Sequence, residues 1–323
     1  MTIISNCTAS IIKDAATSLI NGNLVAFPTE TVYGLGADAT NENAVARIYK
    51  VKGRPMGHPL IVHISSIEHL DKWARKIPDY ALTLARSFWP GPMTLILPRT
   101  DLAKDFITGG QDNVGIRVPL HAVTESLLKE FEAQGGTGVA APSANKFGAV
   151  SPTTAQAVEI ELRNFLSFND QILDGGLCSV GIESSIINCT QNKPYILRPG
   201  AINKEMVEDT LGLAVDLYST LSETNQIKAA GLLESHYAPQ AKVYLTGIPN
   251  SGDGFIALES FDTPSGAVRL ASPKTNIEFA KILYESFRLA DAEGLRNIYV
   301  IPPIGGYIAV AINDRLTKAA FSK

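Results

Sequence analysis

Cysteine is scarce in this chain. Only Cys7, Cys178 and Cys189 occur among 323 residues, far apart and with no CxxC pair. An odd, scattered set builds neither a disulfide frame nor a zinc site, and reads as reduced thiols in a reducing compartment. Long apolar runs are missing too. No stretch approaches the roughly 20 apolar residues of a membrane-crossing helix, and no basic segment leads into an apolar one near the N-terminus. The expectation is a cytoplasmic protein with no membrane partner. Excess positive charge is also absent. Lys and Arg number 28 against 32 Asp and Glu, a net charge of −4, so the chain as a whole does not steer polyanions. Familiar signatures fail as well: there is no GxxxxGK[ST], HExxH, GxSxG or EF-hand loop. Neither Gly34-Leu35-Gly36 nor Gly305-Gly306 completes a GxGxxG. A nucleotide, if bound here, needs another cradle.

What is present suits a globular protein of two domains. Hydrophobic residues make up 45% and charged residues 19%, enough for a sizeable core. Residues 8–20 repeat apolar positions at helical spacing and stop at Asn21-Gly22-Asn23. Helices are also expected over 44–51 (with Asn41 or Asn43 at the cap), near 66–74, and over 79–88 and 122–133. Short apolar strands are expected at 24–27, 60–64, 93–97, 114–118 and 138–141, then more closely spaced near 170–173, 184–188 and 194–198. This alternation predicts an α/β sheet, partly mixed, with flanking helices. Residues 212–240 lose the periodicity and read as a linker between a catalytic domain (1–211) and a tail (241–323). In the tail, strands at 242–246, 254–258, 267–270 and 297–301 alternate with helices at 276–292 and 307–319. That pattern predicts a small parallel three-layer domain.

Candidate chemistry starts at Lys50-Val51-Lys52-Gly53-Arg54-Pro55. Gly and Pro break the helix here, so the heads of Lys52 and Arg54 are expected on a loop, a point charge beside a planar fork suited to phosphate or carboxylate. By themselves the two also read as solvated charges on a polar turn. Arg117 interrupts the strand Val114–Val118, and taken alone it fits a surface position and a cleft position equally. His63 reads as a core histidine. Pro142-Ser143-Ala144-Asn145 follows a small-residue strand that lets a ligand approach the backbone. Ser151-Pro152 reads as an N-cap with Pro at N1, at a helix start that also suits anions.

Taken in order, these segments resemble a known family. Phe27-Pro28-Thr29-Glu30-Thr31-Val32-Tyr33-Gly34-Leu35, Lys52-Gly53-Arg54-Pro55, Pro59-Leu60-Ile61-Val62-His63, Trp89-Pro90-Gly91-Pro92-Met93-Thr94, Arg117-Val118-Pro119 and Pro142-Ser143-Ala144-Asn145 are similar to the YrdC-type threonylcarbamoyl-AMP synthases. Gly181-Ile182-Glu183-Ser184-Ser185 and Leu197-Arg198-Pro199-Gly200 continue the likeness. Ser235-His236-Tyr237-Ala238-Pro239 and the 310–316 segment resemble the long two-domain form.

The resemblance implies a YrdC-like twisted mixed sheet plus a smaller C-terminal Rossmann-like parallel α/β domain. It implies synthesis of threonylcarbamoyl-AMP and pyrophosphate from L-threonine, bicarbonate or CO2, and ATP, with Mg²⁺ on the triphosphate and no protein metal ligands assigned. The product would serve tRNA N6-threonylcarbamoyladenosine formation at position 37, through a transient tRNA or threonylcarbamoyl-transferase partner. The catalytic constellation would be Lys52, Arg54, Ser143 and Asn145. Arg54, His58, Asn113, Ser143, Ser151, Arg198 and His236 would meet the nucleotide. Thr31, His63, Arg117, Ala141 and Ser184 would hold threonine. His58 stands where the family often has Asn, and Ala230-Gly231-Leu232 where many long forms have Pro-Gly-Met. An RNA-binding or regulatory module of the same fold is the alternative, and the acidic balance disfavours it.

Overall fold

The computed structural model describes residues 3–4, 6–217, 227–229, 231 and 237–321. The first strands and helices are β1 (Ile3–Ile4), α1 (Ala9–Ile20), β2 (Val25–Phe27), β3 (Gly34–Asp38), α2 (Glu42–Lys52) and β4 (Ile61–His63). A 3-10 turn leads into α3 (Leu70–Trp73), followed by α4 (Asp79–Phe88), β5 (Met93–Pro98), α5 (Asp105–Thr108), β6 (Asn113–Arg117), α6 (Ala122–Ala133) and β7 (Val139–Ala140). Next come α7 (Ala155–Leu162), β8 (Gln171–Leu173), β9 (Ser185–Asn188), β10 (Tyr195–Arg198), α8 (Lys204–Leu211) and β11 (Asp216–Leu217). The last part holds β12 (Lys242–Tyr244), β13 (Gly254–Ile256), β14 (Val268–Ala271), α9 (Asn276–Ala292), β15 (Asn297–Val300) and α10 (Ile308–Ala320).

The strands form two sheets. Eleven strands in the order β1-β8-β2-β3-β7-β4-β6-β5-β9-β10-β11 make a mixed sheet, and β12-β15-β13-β14 a fully parallel one. The mixed character has a local cause. β2 and β3 are joined by a short connection and pair antiparallel, whereas β4 reaches its parallel neighbour β6 only after three helices and β5. Val62, Leu95, Ile116 and Ile187 point from one face of the large sheet into its main core.

The parallel tail is as expected, but it has two layers rather than three. Val243, Ile298 and Val300 pack in one cluster with Phe279, Leu283 and Phe287 of α9 and Ile312 and Leu316 of α10, so both helices cover the same face. The connections β12–β13 and β13–β14 contain no helix to cover the other. On that face Tyr244 and Tyr299, opposed in register, stack at 4.9 Å. Residues 216–217, read from sequence as linker, instead add an edge strand beside β10.

Several boundaries follow from single residues. Asn41 caps α2 by accepting from Ala44 N, and Gly53 ends it in the left-handed region at φ +63°. Lys52 is therefore the last residue of the helix and not a loop residue. Ser151 is not the N-cap of the next helix either. Thr154 takes that role, accepting from Ala157 N at 3.2 Å, and α7 starts at Ala155.

Candidate functional site

The cleft lies largely on a face of the large sheet, not only at strand ends. Side chains alternate along a strand, so Ile61 and His63 of β4 share a face with Gly115 and Arg117 of β6. The parallel register sets Ile61 beside Gly115 and His63 beside Arg117. Loops close the cleft from the side. Leu35 N donates to Pro142 O at 2.8 Å and Ala144 N to Tyr33 O at 2.8 Å, which pins the Thr29–Gly34 loop against Pro142-Ser143. The resulting cavity has a volume of about 60 Å³, counted as space open to the centre of a water-sized sphere, and is lined by Thr31, Arg54, His63, Arg117, Ala141, Ser143, Ser184 and Arg198 among others.

The Thr29 hydroxyl donates to Val32 O at 2.7 Å and accepts from Thr31 N, a turn that holds the Thr31 hydroxyl 2.8 Å away. Arg117 Nη1 donates to Thr31 Oγ1 at 2.9 Å and Nε to Gly91 O at 3.3 Å, while Nη2 faces the Glu30 carboxylate at 2.6 Å. Both members of this ion pair are buried. The guanidinium is thus held in one orientation, with further N–H hydrogens on Nη1 and Nη2 left for a ligand. Burial first, and the neighbouring Arg117 charge second, push the His63 imidazole down to about 3. It is neutral at pH 7, and its Nδ1 has no partner among the described residues.

Arg54 emerges one residue beyond the Gly53 turn. Nη2 donates to Pro59 O at 2.9 Å, the guanidinium lies over the Phe147 ring at 5.6 Å, and the buried Nε has no partner among the described residues. Burial lowers its pKa. Arg198, at the end of β10, donates from Nε and Nη2 to Ser184 O at 3.0 and 2.8 Å, and from Nη2 to Ser184 Oγ. Beside the cavity, and sharing Ile61 with it, an apolar slot runs between Pro59, Ile96, Ile186 and Ile227, with Asn113 at its rim. The Gln111 side chain clamps residues 227–229 against this slot, donating to Lys228 O at 3.0 Å and accepting from Lys228 N at 2.7 Å.

Four expected residues line neither the cavity nor the slot beside it. The buried Lys52 ammonium donates to Ser143 O at 2.6 Å and to Asn145 O, and burial, with Arg54 second, brings it down to about 7. Asn145 donates to Lys146 O and Ala149 O from the far side of the same loop. Ser151 donates to Glu183 Oε1 at 2.6 Å. His58 packs edge-on against Phe147 at 5.3 Å, beside Arg54 rather than in the cavity. His236 lies outside the described residues. Among the described residues, no group of three or more His, Cys, Asp or Glu could hold a metal ion.

A family model described as telomere recombination, the Sua5, YciO and YrdC group, matches residues 17–200. A second, described as the C-terminal domain of threonylcarbamoyl-AMP synthase, matches 202–321. The threonylcarbamoyl-AMP synthase of Bacillus subtilis is 43% identical over 96% of this chain and 92% of its own length. That of Pyrococcus abyssi is 43% identical over 77% and 73%. The chain belongs to the threonylcarbamoyl-AMP synthase family, a family of enzymes. The crystal structure of P. abyssi Sua5 complexed with L-threonine superposes with a TM-score of 0.88 at 36% identity, covering 99% of this chain and 98% of that one.

Three residues in and behind the cavity walls have no role assigned by the motifs. Glu30 falls within the Thr29–Tyr33 motif, yet nothing in the sequence marks it as the partner of Arg117, 87 residues away. Glu183 lines the cavity beside Ser184, and its carboxylate meets Arg315 of α10 at 2.9 Å. Burial alone would raise that carboxyl. The Arg315 and Arg198 charges and a hydrogen bond from Ser151 outweigh it and hold the carboxyl at about 2. Arg315 carried one readable signal: it falls on the apolar stripe formed by Ala311, Ile312, Leu316 and Ala319, where a charge must find a buried partner.

Proposed function

We propose that this chain makes threonylcarbamoyl-AMP and pyrophosphate from L-threonine, bicarbonate or CO2, and ATP, supplying N6-threonylcarbamoyladenosine formation at tRNA position 37. The observation that carries this reading is the convergence of Arg54, Arg117 and Arg198, from three distant segments, on one cavity that also presents Thr31, neutral His63 and Ser184. One part suits an amino acid. Arg117 offers its remaining N–H groups to the carboxylate, and His63 and the Thr31 and Ser184 hydroxyls can bond the ammonium and hydroxyl. The other suits a nucleotide, with Arg54 and Arg198 facing phosphates and the slot beside Asn113 taking the base.

In the reaction the neutral threonine amine adds to CO2, forming the N–C bond and releasing a proton, which gives a carbamate. A carbamate oxygen then attacks the ATP α-phosphorus, and the bond to the β,γ-pyrophosphate breaks with that group leaving as an anion. The protein's contribution is to hold two anions together and to offset the charge that builds on the phosphates. Lys52 fits a supporting part, since it pins the Ser143 and Asn145 carbonyls and so fixes the loop under the phosphates. Ser151 would act through Glu183. Mg²⁺ fits as part of the ATP substrate, riding on its phosphate oxygens, because Glu183, which lines the cavity, and Glu30, in its loop wall, are committed to Arg315 and Arg117.

Pyrophosphate release by the purified chain, with each substrate omitted in turn and the adenylate detected by mass spectrometry, tests the reading. Release should require all three substrates. Release that persists without threonine, or none with all present, would overturn it.

A further inference from the structure

The segment 181–184 lies between the two units of the molecule and is held from both sides. Gly181 adopts φ +83°, and a Cβ there would overlap Lys281 Cα and stand 2.6 Å from Ala280 O, so α9 rests directly on the loop. Two residues on, the Glu183 carboxylate accepts from Ser151 Oγ at 2.6 Å on the large-sheet side. From the tail it accepts from Tyr284 OH at 2.9 Å and Arg315 Nε at 2.9 Å, and Arg315 Nη2 also reaches Glu183 O at 3.4 Å. Arg315 is completely buried, with Asp314 at 2.5 Å on its other side. Tyr237, a cavity wall, stacks on Tyr284 at 5.9 Å and has the Arg315 guanidinium 5.3 Å from its ring centre.

The next residue in the chain is Ser184, whose carbonyl and hydroxyl are the acceptors that orient Arg198. Charge-assisted bonds from α10 to Glu183, the peptide link to Ser184, and the Ser184 bonds to Arg198 therefore form one connected path to the guanidinium in the cavity. A buried fork that grips both the side chain and the carbonyl of one residue leaves that residue little freedom to rotate.

We propose that Arg315 is a positioning residue for the reaction: by fixing Glu183 it sets the Ser184 acceptors and, through them, the Arg198 guanidinium that meets the nucleotide. The four-stranded unit is then part of the active site, although Arg315 itself touches no substrate. The proposal rests on the functional reading above. It differs from simple bracing between two units, which would change stability and leave substrate affinity alone.

The test uses the full-length chain. Glu183→Gln combined with Arg315→Met removes the fork together with both of its charges, Arg315→Lys keeps the charge but not the two-point grip, and Tyr284→Phe removes one hydrogen bond. ATP and L-threonine affinities are measured separately by calorimetry, alongside kcat, KM and thermal melting. The double variant should lose about 10- to 100-fold in ATP affinity, the loss expected when charge-assisted bonds go. Arg315→Lys should recover part of that loss. Tyr284→Phe should lose about 3- to 10-fold with melting little changed. Should the double variant fail to fold, the other two decide the matter. Unchanged ATP affinity in folded variants of an active enzyme overturns this proposal alone, whereas a wild-type chain that releases no pyrophosphate overturns the functional reading and this with it.

Discussion

The two walls of the cavity are built differently. One carries Thr31, His63, Arg117 and Ala141, and everything that orients them belongs to the large sheet and its loops. Register sets His63 beside Arg117, Glu30 and Gly91 hold the guanidinium, and Thr29 fixes Thr31. The other carries Glu183, Ser184, Arg198, Gly231 and Tyr237; Ser151 and Thr94 hold it from the large sheet, but Tyr284, Arg315 and Lys318 brace it from across the tail. A wall made by strand register is as stable as the sheet. A wall braced from a second unit can shift whenever the docking between units shifts. The first wall should therefore fail through local loss of charge balance, and the second through changes far from the cavity.

The largest expected effect breaks the first wall. Arg117→Ala leaves the Glu30 carboxylate buried without its counter-ion, since the side chains of the pair are only 5% and 3% exposed. Removing one partner of a buried pair costs about 3–5 kcal/mol. Denaturant unfolding should show that loss, and Glu30→Gln with Arg117→Met should recover most of it while threonine use stays crippled. A single variant as stable as wild type would mean that water or another group reaches Glu30, and the first wall would not be self-contained.

Acid separates the walls next. The folded-state pKa of His63 lies below its ordinary 6.5, at about 3. The unfolded chain therefore binds more protons between these values, and stability falls as pH drops below about 6.5. The Glu183 pKa lies below its ordinary 4.5, at about 2, so the stability it contributes is complete above about 4.5 and is lost as pH falls toward 2. Each loss amounts to a few kcal/mol at most. Unfolding free energy measured against pH should flatten between 6.5 and 4.5 in His63→Gln, and below 4.5 in Glu183→Gln. His58 and His121, also lowered by burial, share the upper window, so the difference from wild type is what counts. If Glu183→Gln changes the upper window instead, the assignment of the two walls is wrong.

These contrasts also explain what the sequence could reveal. The strongly periodic segments 122–133 and 276–292 read as helices with the bounds that α6 and α9 have, because a 3.6-residue apolar stripe is a local signal. The residues of the first wall sit in motifs only a few residues long, so each could be picked out as a candidate. What failed depended on distance. The burial of Lys52 needs the Ser143 and Asn145 carbonyls about 90 residues away. The cap at Thr154 had a competitor three residues earlier, in a Ser-Pro pair with equally good local chemistry. The Glu183–Arg315 contact spans 132 residues and joins two sheets, and no periodicity encodes it. The two-layer tail was missed for a related reason: strand and helix spacing predicts alternation, but not which face each helix covers.

The second wall breaks where the backbone of α9 closes on Gly181. Gly181→Ala places a methyl group where Lys281 and Ala280 backbone atoms stand, at a φ of +83° that L side chains rarely adopt. Backbone atoms cannot swing away as a flexible side chain would, so α9 has to move off the loop. A cost of about 1–3 kcal/mol is expected from overpacking and backbone strain, with ATP affinity reduced and threonine affinity much less affected. Equal losses for both substrates would show that the loop supports the whole cavity and not one wall.

The smallest expected effect is at Lys318, whose ammonium donates to Gly231 O at 2.8 Å and to both Asp314 oxygens at 2.8 and 2.9 Å. Lys318→Met keeps the alkyl packing and removes only these bonds. Asp314 retains Arg315 at 2.5 Å, so no buried carboxylate is abandoned and the stability change should stay within about 1 kcal/mol. What changes is the hold on Gly231, a cavity-wall residue with φ +78° whose carbonyl the lysine pins from outside. If the second wall depends on bracing from the tail, ATP KM should rise about 2- to 5-fold with kcat and threonine KM unchanged, because only the position of a wall is loosened. A fall in kcat at constant ATP KM would instead place the effect in the chemical step, and the contrast between a self-built wall and a braced one would have to be redrawn.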